Sequence, residues 1–200
     1  LRETLAAACI HATGYRGRRP LWDPFCGAGT LLLEGLAQAR GVVPGAARSF
    51  AFEAWPSLAG GVQDPDAGAL AGASVAANAL VIGSDHDPHA LEAARANATR
   101  AGLDGAIRWI EEEPRAVSAA VPRDAIVVCN PPYGKRLGTD RSALQAAYRA
   151  LSEVLVRRRD LDAWVLTGSP LLVRAGRGLD WEIAASFSNR GVPVRLYHRR

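Results

Sequence analysis

The chain is expected to fold as an α/β domain around a doubly wound, mostly parallel seven-stranded sheet closed by a C-terminal antiparallel hairpin. Three observations point there. Short apolar runs of strand length alternate with helical stretches along the sequence, the order of a parallel sheet covered on both faces. Two of the runs stop abruptly in shaped loops, "DPFCGAGT" from Asp23 and "NPPY" from Asn130. The last two runs lie either side of a short Asn-Arg-Gly turn in "WEIAASFSNRGVPVRLYHR", which reads as a hairpin.

Taken in order, 2–13 reads as a helix with Leu5, Cys9 and Ile10 on one face. "RPLWDP" is a short strand ending at Pro24, and "TLLLEGLAQAR" a helix with Thr30 at its N-cap and Gly41 just past its end. Residues 41–63, rich in Gly, Pro and aromatics, read as a long loop, and 64–78 as an alanine-rich helix. "LVIGSD" is a strand. Asp87 then caps the helix "PHALEAARANATRAGL", with Pro88 at its first position and Gly102 at its end. "AIRWIEE" is a strand, 114–120 a short helix and "DAIVVCN" a strand. Helix 139–158, the strand "LDAWVLTG" and the short helix "SPLLVRAG" precede the hairpin. No repeat or linker breaks the 200 residues, so they are expected to form one domain.

The composition, 48% hydrophobic and 22% charged, suits a globular chain with a full core. No apolar stretch approaches the roughly 20 residues of a membrane span. Cys9, Cys26 and Cys129 have neither zinc nor disulfide spacing and read as small buried hydrophobes in a reducing, cytoplasmic compartment. No metal spacing appears among the histidines. The net charge of +4 permits an anionic partner without demanding one. The sequence contains no methionine, so Leu1 is expected to be an internal residue of a longer protein.

The loop Asp23-Pro24-Phe25-Cys26-Gly27-Ala28-Gly29-Thr30 sits where a doubly wound fold keeps its first ligand loop. A phosphate-binding P-loop needs a lysine that is absent, and a dinucleotide fingerprint needs a third glycine where Leu32 stands. Asp23 would repel a pyrophosphate but favour a cation such as the ammonium of S-adenosylmethionine. Gly27 and Gly29 would let the backbone approach that ligand, and the helix N-terminus behind them would face its carboxylate. The plainer reading is a strand-to-helix turn with a capping Asp. Asp85, ending the second strand beside His86, is placed for ribose hydroxyls. Glu113, the last residue of "EEE", could accept from an adenine amino group, or belong to a solvated charge run.

The first and fourth strands should be neighbours where the strand order reverses, bringing Asp23 and Asn130 to one crevice. Two prolines make "NPPY" a rigid corner. Asn130 and the Pro131 carbonyl offer two acceptors for the N–H bonds of an amine conjugated to a ring. Such acceptors favour the localised lone pair that develops during methyl transfer. Pro132 stiffens the corner and Tyr133 can stack on a base. The plainer reading is a turn ending a buried strand.

With these residues, the chain resembles the class I methyltransferases. More narrowly, it resembles the THUMP-containing RNA guanine-N2 methyltransferases, and among them the N-terminal methyltransferase half of the large-subunit ribosomal RNA enzymes. "LRETLAAA", "LWDPFCGAGTLLLEG", "SFAFEAWPS", "GSDHDPHALEAARANATRAGL" and "CNPPYGKRLG" carry the likeness. Asn-Pro-Pro-Tyr alone is shared with adenine-N6 and glutamine-N5 methyltransferases; the following glycine-basic run and the aromatic insertion narrow it. Glu113 departs from the family's usual Asp. The resemblance implies S-adenosylmethionine as cofactor, with Asp23, Pro24, Phe25, Cys26, Gly27, Gly29, Thr30, Asp85, His86, Glu113 and Asn130 around it. It implies RNA as partner, ribosomal RNA first, docked by a THUMP-type domain N-terminal to Leu1.

A base inside a duplex cannot reach such a crevice, so the target must be unpaired or flipped out. Lys135, Arg136 and Arg141 are candidate RNA contacts, as are Arg16, Arg18 and Arg19; Arg157, Arg158 and Arg159 read as a solvated helix C-terminus. The rival readings are an adenine-N6 DNA or glutamine-N5 protein methyltransferase and, in another class, a non-catalytic RNA-binding or cofactor-sensing module.

Overall fold

A computed structural model of the chain describes residues 1–42, 51, 55–56, 79–133, 141–189 and 191–199. Helix α1 (Glu3–Thr13) leads into β1 (Leu21–Asp23) and α2 (Thr30–Ala39). Strand β2 (Val81–Asp85), α3 (Pro88–Arg100), β3 (Arg108–Glu111) and α4 (Pro114–Val117) follow, the last running into a 3-10 turn at Ser118–Ala120. Then come β4 (Ile126–Cys129), α5 (Arg141–Arg157), β5 (Asp162–Thr167) and α6 (Leu171–Ala175). Strands β6 (Trp181–Asn189) and β7 (Val192–Arg199) close the fold. The loop expected at 41–63 and the helix at 64–78 lie almost entirely outside the described residues, as do 139–140 at the start of the long helix.

The seven strands form one sheet in the order β3-β2-β1-β4-β5-β7-β6. Strands β1 to β5 are parallel, with Leu21 facing Val81 on one side and Ile126 on the other. Strand β7 inserts antiparallel between β5 and β6 and is the one strand of reversed direction in the sheet. Among the described residues, the order of elements and the antiparallel hairpin are as the sequence predicts.

Strand β4 is buried along its whole length, the mark of a parallel strand covered on both faces. Its side chains alternate between two cores. Ile126 and Val128 join Leu21, Leu32, Leu36 and Leu91 beneath α1 to α3. Val127 and Cys129 join Trp22, Tyr148, Leu151 and Leu155 beneath α5 and α6. Two buried pairs link elements: Trp22 Nε1 donates to Ser84 Oγ at 3.1 Å, and Tyr148 and Thr167 share a hydroxyl hydrogen bond of 2.6 Å.

Two helix starts differ from expectation. Arg2, extended, is the N-cap of α1. In α2 the N-cap is Gly29, at φ +79°, and Thr30 is the first helical residue with no capping hydrogen bond. The tight loop before the helix needs a left-handed residue at the cap, a conformation open to glycine and strained for threonine. Asp87 caps α3 as expected, accepting from the His89 amide at 2.9 Å. Among the described residues, no helix is long and apolar enough to cross a membrane.

Candidate active site

The strand order reverses between β1 and β4, so the helices after these strands leave on opposite faces and a crevice opens at their carboxyl ends. Asp23 ends β1, Asp85 ends β2 and Asn130 follows β4, which brings all three to one sheet edge. They line a single cavity of about 1090 Å³. That is near the upper end of ligand-site volumes, roughly 300–1,000 Å³, and leaves room for a second reactant beside a nucleoside-sized one.

The loop after β1 is wired by its own backbone. The Cys26 amide donates to the Ser84 carbonyl at 3.0 Å, and the Gly29 amide to the Cys26 carbonyl at 2.8 Å. Asn97 of α3 donates its side-chain amide to the Ala28 carbonyl at 2.9 Å, an anchor no local pattern reveals. Pro24, Phe25, Cys26, Gly27 and Thr30 all line the cavity. Gly27, at φ +52°, has open space where a Cβ would point. Gly29 instead lies outside the lining, and a Cβ there would fall 2.8 Å from the Trp109 ring. Its smallness serves the packing of Trp109 under the loop.

Asp23 is buried, with Oδ1 accepting the Phe25 amide at 3.0 Å. Burial, with a smaller contribution from nearby Asp85, holds its carboxyl well above the usual carboxylate range. A buried carboxylate without a cation is costly, so this position is suited to a cationic ligand group. Asp85 is better supplied: Oδ2 accepts the Gly27 amide at 2.9 Å and Oδ1 the Asp87 amide at 3.1 Å. Each oxygen keeps a further acceptor site for a ligand hydroxyl. His86 is exposed and places Nδ1 3.5 Å from Asp85 Oδ1. Burial pushes the Cys26 thiol upward, beyond the reach of a thiolate nucleophile.

The corner after β4 holds Asn130, Pro131, Pro132 and Tyr133 against the same cavity. Asn130 Oδ1 is buried, and no group among the described residues donates to it. An unmatched buried acceptor costs about 1–3 kcal/mol, a penalty a bound donor would remove. Tyr133 is half-buried, packed on the α1 to α3 core, and its hydroxyl accepts from the side-chain amide of Asn189 at 2.8 Å. Asn189 and Val192, facing each other across the hairpin tip, also line the cavity. Neither was signalled by the sequence, because the 56-residue separation from Tyr133 to Asn189 leaves no local pattern.

Glu113 lines the cavity, exposed, as the N-cap of α4. Beside it Arg115 pairs with Glu153 of α5 at 2.8 Å. Arg141 is exposed at the start of α5, while Lys135 and Arg136 lie outside the described residues. The trio Arg16, Arg18 and Arg19 precedes β1 and therefore sits at the opposite end of the sheet from the crevice. There Arg19 donates to Asp162 Oδ2 at 2.9 Å and the Asp124 carbonyl at 2.8 Å, a structural tether. Arg158 is tied too, to Asp160 at 2.7 Å and to the carbonyls of Ser118, Val121 and Pro122, so the expectation of a solvated charge fails for it. Among the described residues, no group of three His, Cys, Asp or Glu could hold a metal ion.

Residues 1–185 match the family described as RMKL-like, methyltransferase domain. Two similar proteins are ribosomal RNA large subunit methyltransferases K/L. That of Chromohalobacter salexigens is 37% identical over 215 residues, 98% of this chain and 28% of its own length. That of Vibrio campbellii is 39% identical over 157 residues, 75% of this chain and 22% of its own length. The chain thus spans about a quarter of these curated relatives. The crystal structure of SMU.472 complexed with SAH superposes with a TM-score of 0.82 at 25% identity, over 98% of this chain and 52% of that one.

Proposed function

This chain belongs to the RMKL-like methyltransferase domain family, and from that premise we propose that it methylates RNA, at the exocyclic N2 amine of a guanine in large-subunit ribosomal RNA. The cofactor is S-adenosylmethionine, whose sulfonium supplies an electrophilic methyl group. The observation that carries the reading is the buried Oδ1 of Asn130, without a donor among the described residues, in one cavity with the carboxyls of Asp23 and Asp85.

These residues fit the two reactants. Asp23 would take the ammonium, Gly27 and the N-terminus of α2 the carboxylate, Asp85 the ribose hydroxyls and Glu113 the adenine amine. Asn130 Oδ1 and the Pro131 carbonyl would accept the two N–H bonds of the target amine. That draws its lone pair out of conjugation and toward the methyl carbon. Tyr133 would support the face of the base. The nitrogen becomes cationic on methylation and then sheds its proton to solvent, so no side chain of high pKa is needed as a base. The target base must be unpaired or flipped to enter the crevice. Lys135, Arg136 and Arg141 would contact the RNA backbone beside it. A THUMP-type domain preceding Leu1 would supply most of the docking, and a bacterial-type ribosomal substrate would put the enzyme in the cytoplasm.

The test is nucleoside mass spectrometry after the full-length protein meets unmodified large-subunit ribosomal RNA and labelled S-adenosylmethionine. Labelled N2-methylguanosine is expected. Parallel reactions with DNA and with protein test the rivals: labelled N6-methyladenine in the DNA, labelled glutamine in the protein, or cofactor binding with no transfer to any substrate would each replace this reading.

A further inference from the structure

The tip of the β6–β7 hairpin reaches the acceptor end of the cavity, where Asn189 and Val192 join Tyr133 in its lining. Tyr133 is held by its ring and by its hydroxyl. The half-buried ring packs on the core beneath α1 to α3. At its tip the hydroxyl accepts the Asn189 side-chain amide at 2.8 Å. Tyrosine has only two side-chain torsions, so a packed ring and a bonded tip leave the ring plane little freedom. Asn189 is held in turn by β6, where it pairs with Val192.

We propose that Asn189 is a positioning residue for the target base: it holds the Tyr133 ring at the angle at which a base stacks, and so links the hairpin tip to substrate binding. This rests on the reading of Tyr133 as a stacking platform given above. Asn189 acts through the tyrosine hydroxyl. It therefore changes how well the base is held, without touching the cofactor's carboxylate ligands Asp23 and Asp85 at the other end of the cavity.

The test uses the full-length protein as wild type, Asn189→Ala, Tyr133→Phe and the double variant. Methylation of an unmodified large-subunit ribosomal RNA transcript gives KM and kcat, and calorimetry with S-adenosylhomocysteine gives cofactor affinity. One neutral hydrogen bond predicts a rise in KM of about 3–10-fold for Asn189→Ala, with kcat changing less and cofactor affinity held within about twofold. Tyr133→Phe should show a similar rise, and adding Asn189→Ala to it should change KM by less than about twofold. An equal loss from Asn189→Ala in both backgrounds would overturn the proposal, since Asn189 would then act on something other than the Tyr133 hydroxyl. A second readout is independent of substrate: the ring resonances of Tyr133, labelled with carbon-13 and identified by their loss in Tyr133→Phe. They should shift and show faster ring flipping in Asn189→Ala, at unchanged melting temperature. Unchanged Tyr133 resonances would overturn the positioning role even if the RNA proves not to be a substrate. Absence of methyl transfer by the wild type, with the expected ring changes present, would instead sink the substrate reading alone.

Discussion

The Gly27 amide donates to the Asp85 carboxylate at 2.9 Å, across 58 positions of sequence. This bond clips the loop after β1 to the end of β2, and the Asp87 amide braces the same carboxylate from the other side. One side chain therefore shapes the loop after β1 and keeps an acceptor free toward the cavity.

Asp85→Ala should accordingly lose more than a ribose contact. Hydrogen bonds to charged groups contribute about 1.5–3 kcal/mol each. Affinity for S-adenosylhomocysteine should fall by at least one such bond, roughly 10–100-fold, and the melting temperature of the ligand-free protein should fall as well. Calorimetry and a thermal melt check the two effects; loss of affinity with an unchanged melt would mean the clip adds nothing to the fold.

Asp23 ties stability and binding to pH in opposite senses. Burial raises its carboxyl above the usual range, so the folded ligand-free protein favours the protonated form. Its contribution to stability is full below the unfolded pKa of about 3.9 and is lost as pH rises through the raised folded value. Affinity for a ligand ammonium runs the other way, growing as the carboxylate forms. Asp23→Asn should raise the melting temperature of the ligand-free protein near pH 8, while S-adenosylhomocysteine no longer raises it further. A variant that melts lower than wild type and still responds to the ligand would refute this assignment.

Asn130→Ala removes the buried acceptor that no group among the described residues matches. Turnover should fall about 10²–10³-fold, the loss typical of one transition-state hydrogen bond, with cofactor affinity within a few-fold. Tyr133→Ala should instead act on base binding, weakening it by roughly 1–3 kcal/mol for one stacking platform. Steady-state kinetics with calorimetry separates the two; lost cofactor binding with retained turnover in Asn130→Ala would reverse the roles.

Gly83, in β2, is packed under Trp109 so closely that an added Cβ would lie 2.5 Å from the ring and 2.9 Å from Leu32. Gly83→Ala should destabilise the protein by about 1–3 kcal/mol, as overpacking does, and loosen the loop after β1, whose Gly29 lies against the same ring. Denaturant unfolding measures the first and ligand affinity the second. An unchanged unfolding midpoint would show that Trp109 can move aside.

The element order was legible because each strand is a short apolar run and each helix carries its own stop or start residue. Asp23, Asp85 and Asn130 were legible because each closes such a run, and the reversal of strand order brings run ends together. What the sequence hid is what depends on distant neighbours. Gly29 looked like a ligand-facing glycine, but its neighbour is Trp109, which arrives from β3. Arg16, Arg18 and Arg19 looked close to the site because they are close to β1 in sequence, yet a strand's two ends belong to opposite edges of the sheet. Asn189 read only as part of a turn.

Strand β7 sits second from the edge of the sheet although it follows every other strand in sequence. The border of β5 is taken by β7, so β6 meets the sheet only through β7. Arg199 is then drawn under α5, where its buried guanidinium donates to the carbonyls of Leu155, Arg158, Arg159 and Leu161. The half of the cavity that holds Asp23 and Asp85 can be assembled before this happens; the half that holds Tyr133 in place cannot. A nascent chain would thus complete the Asp23–Asp85 end of its cavity earlier than the Tyr133–Asn189 end.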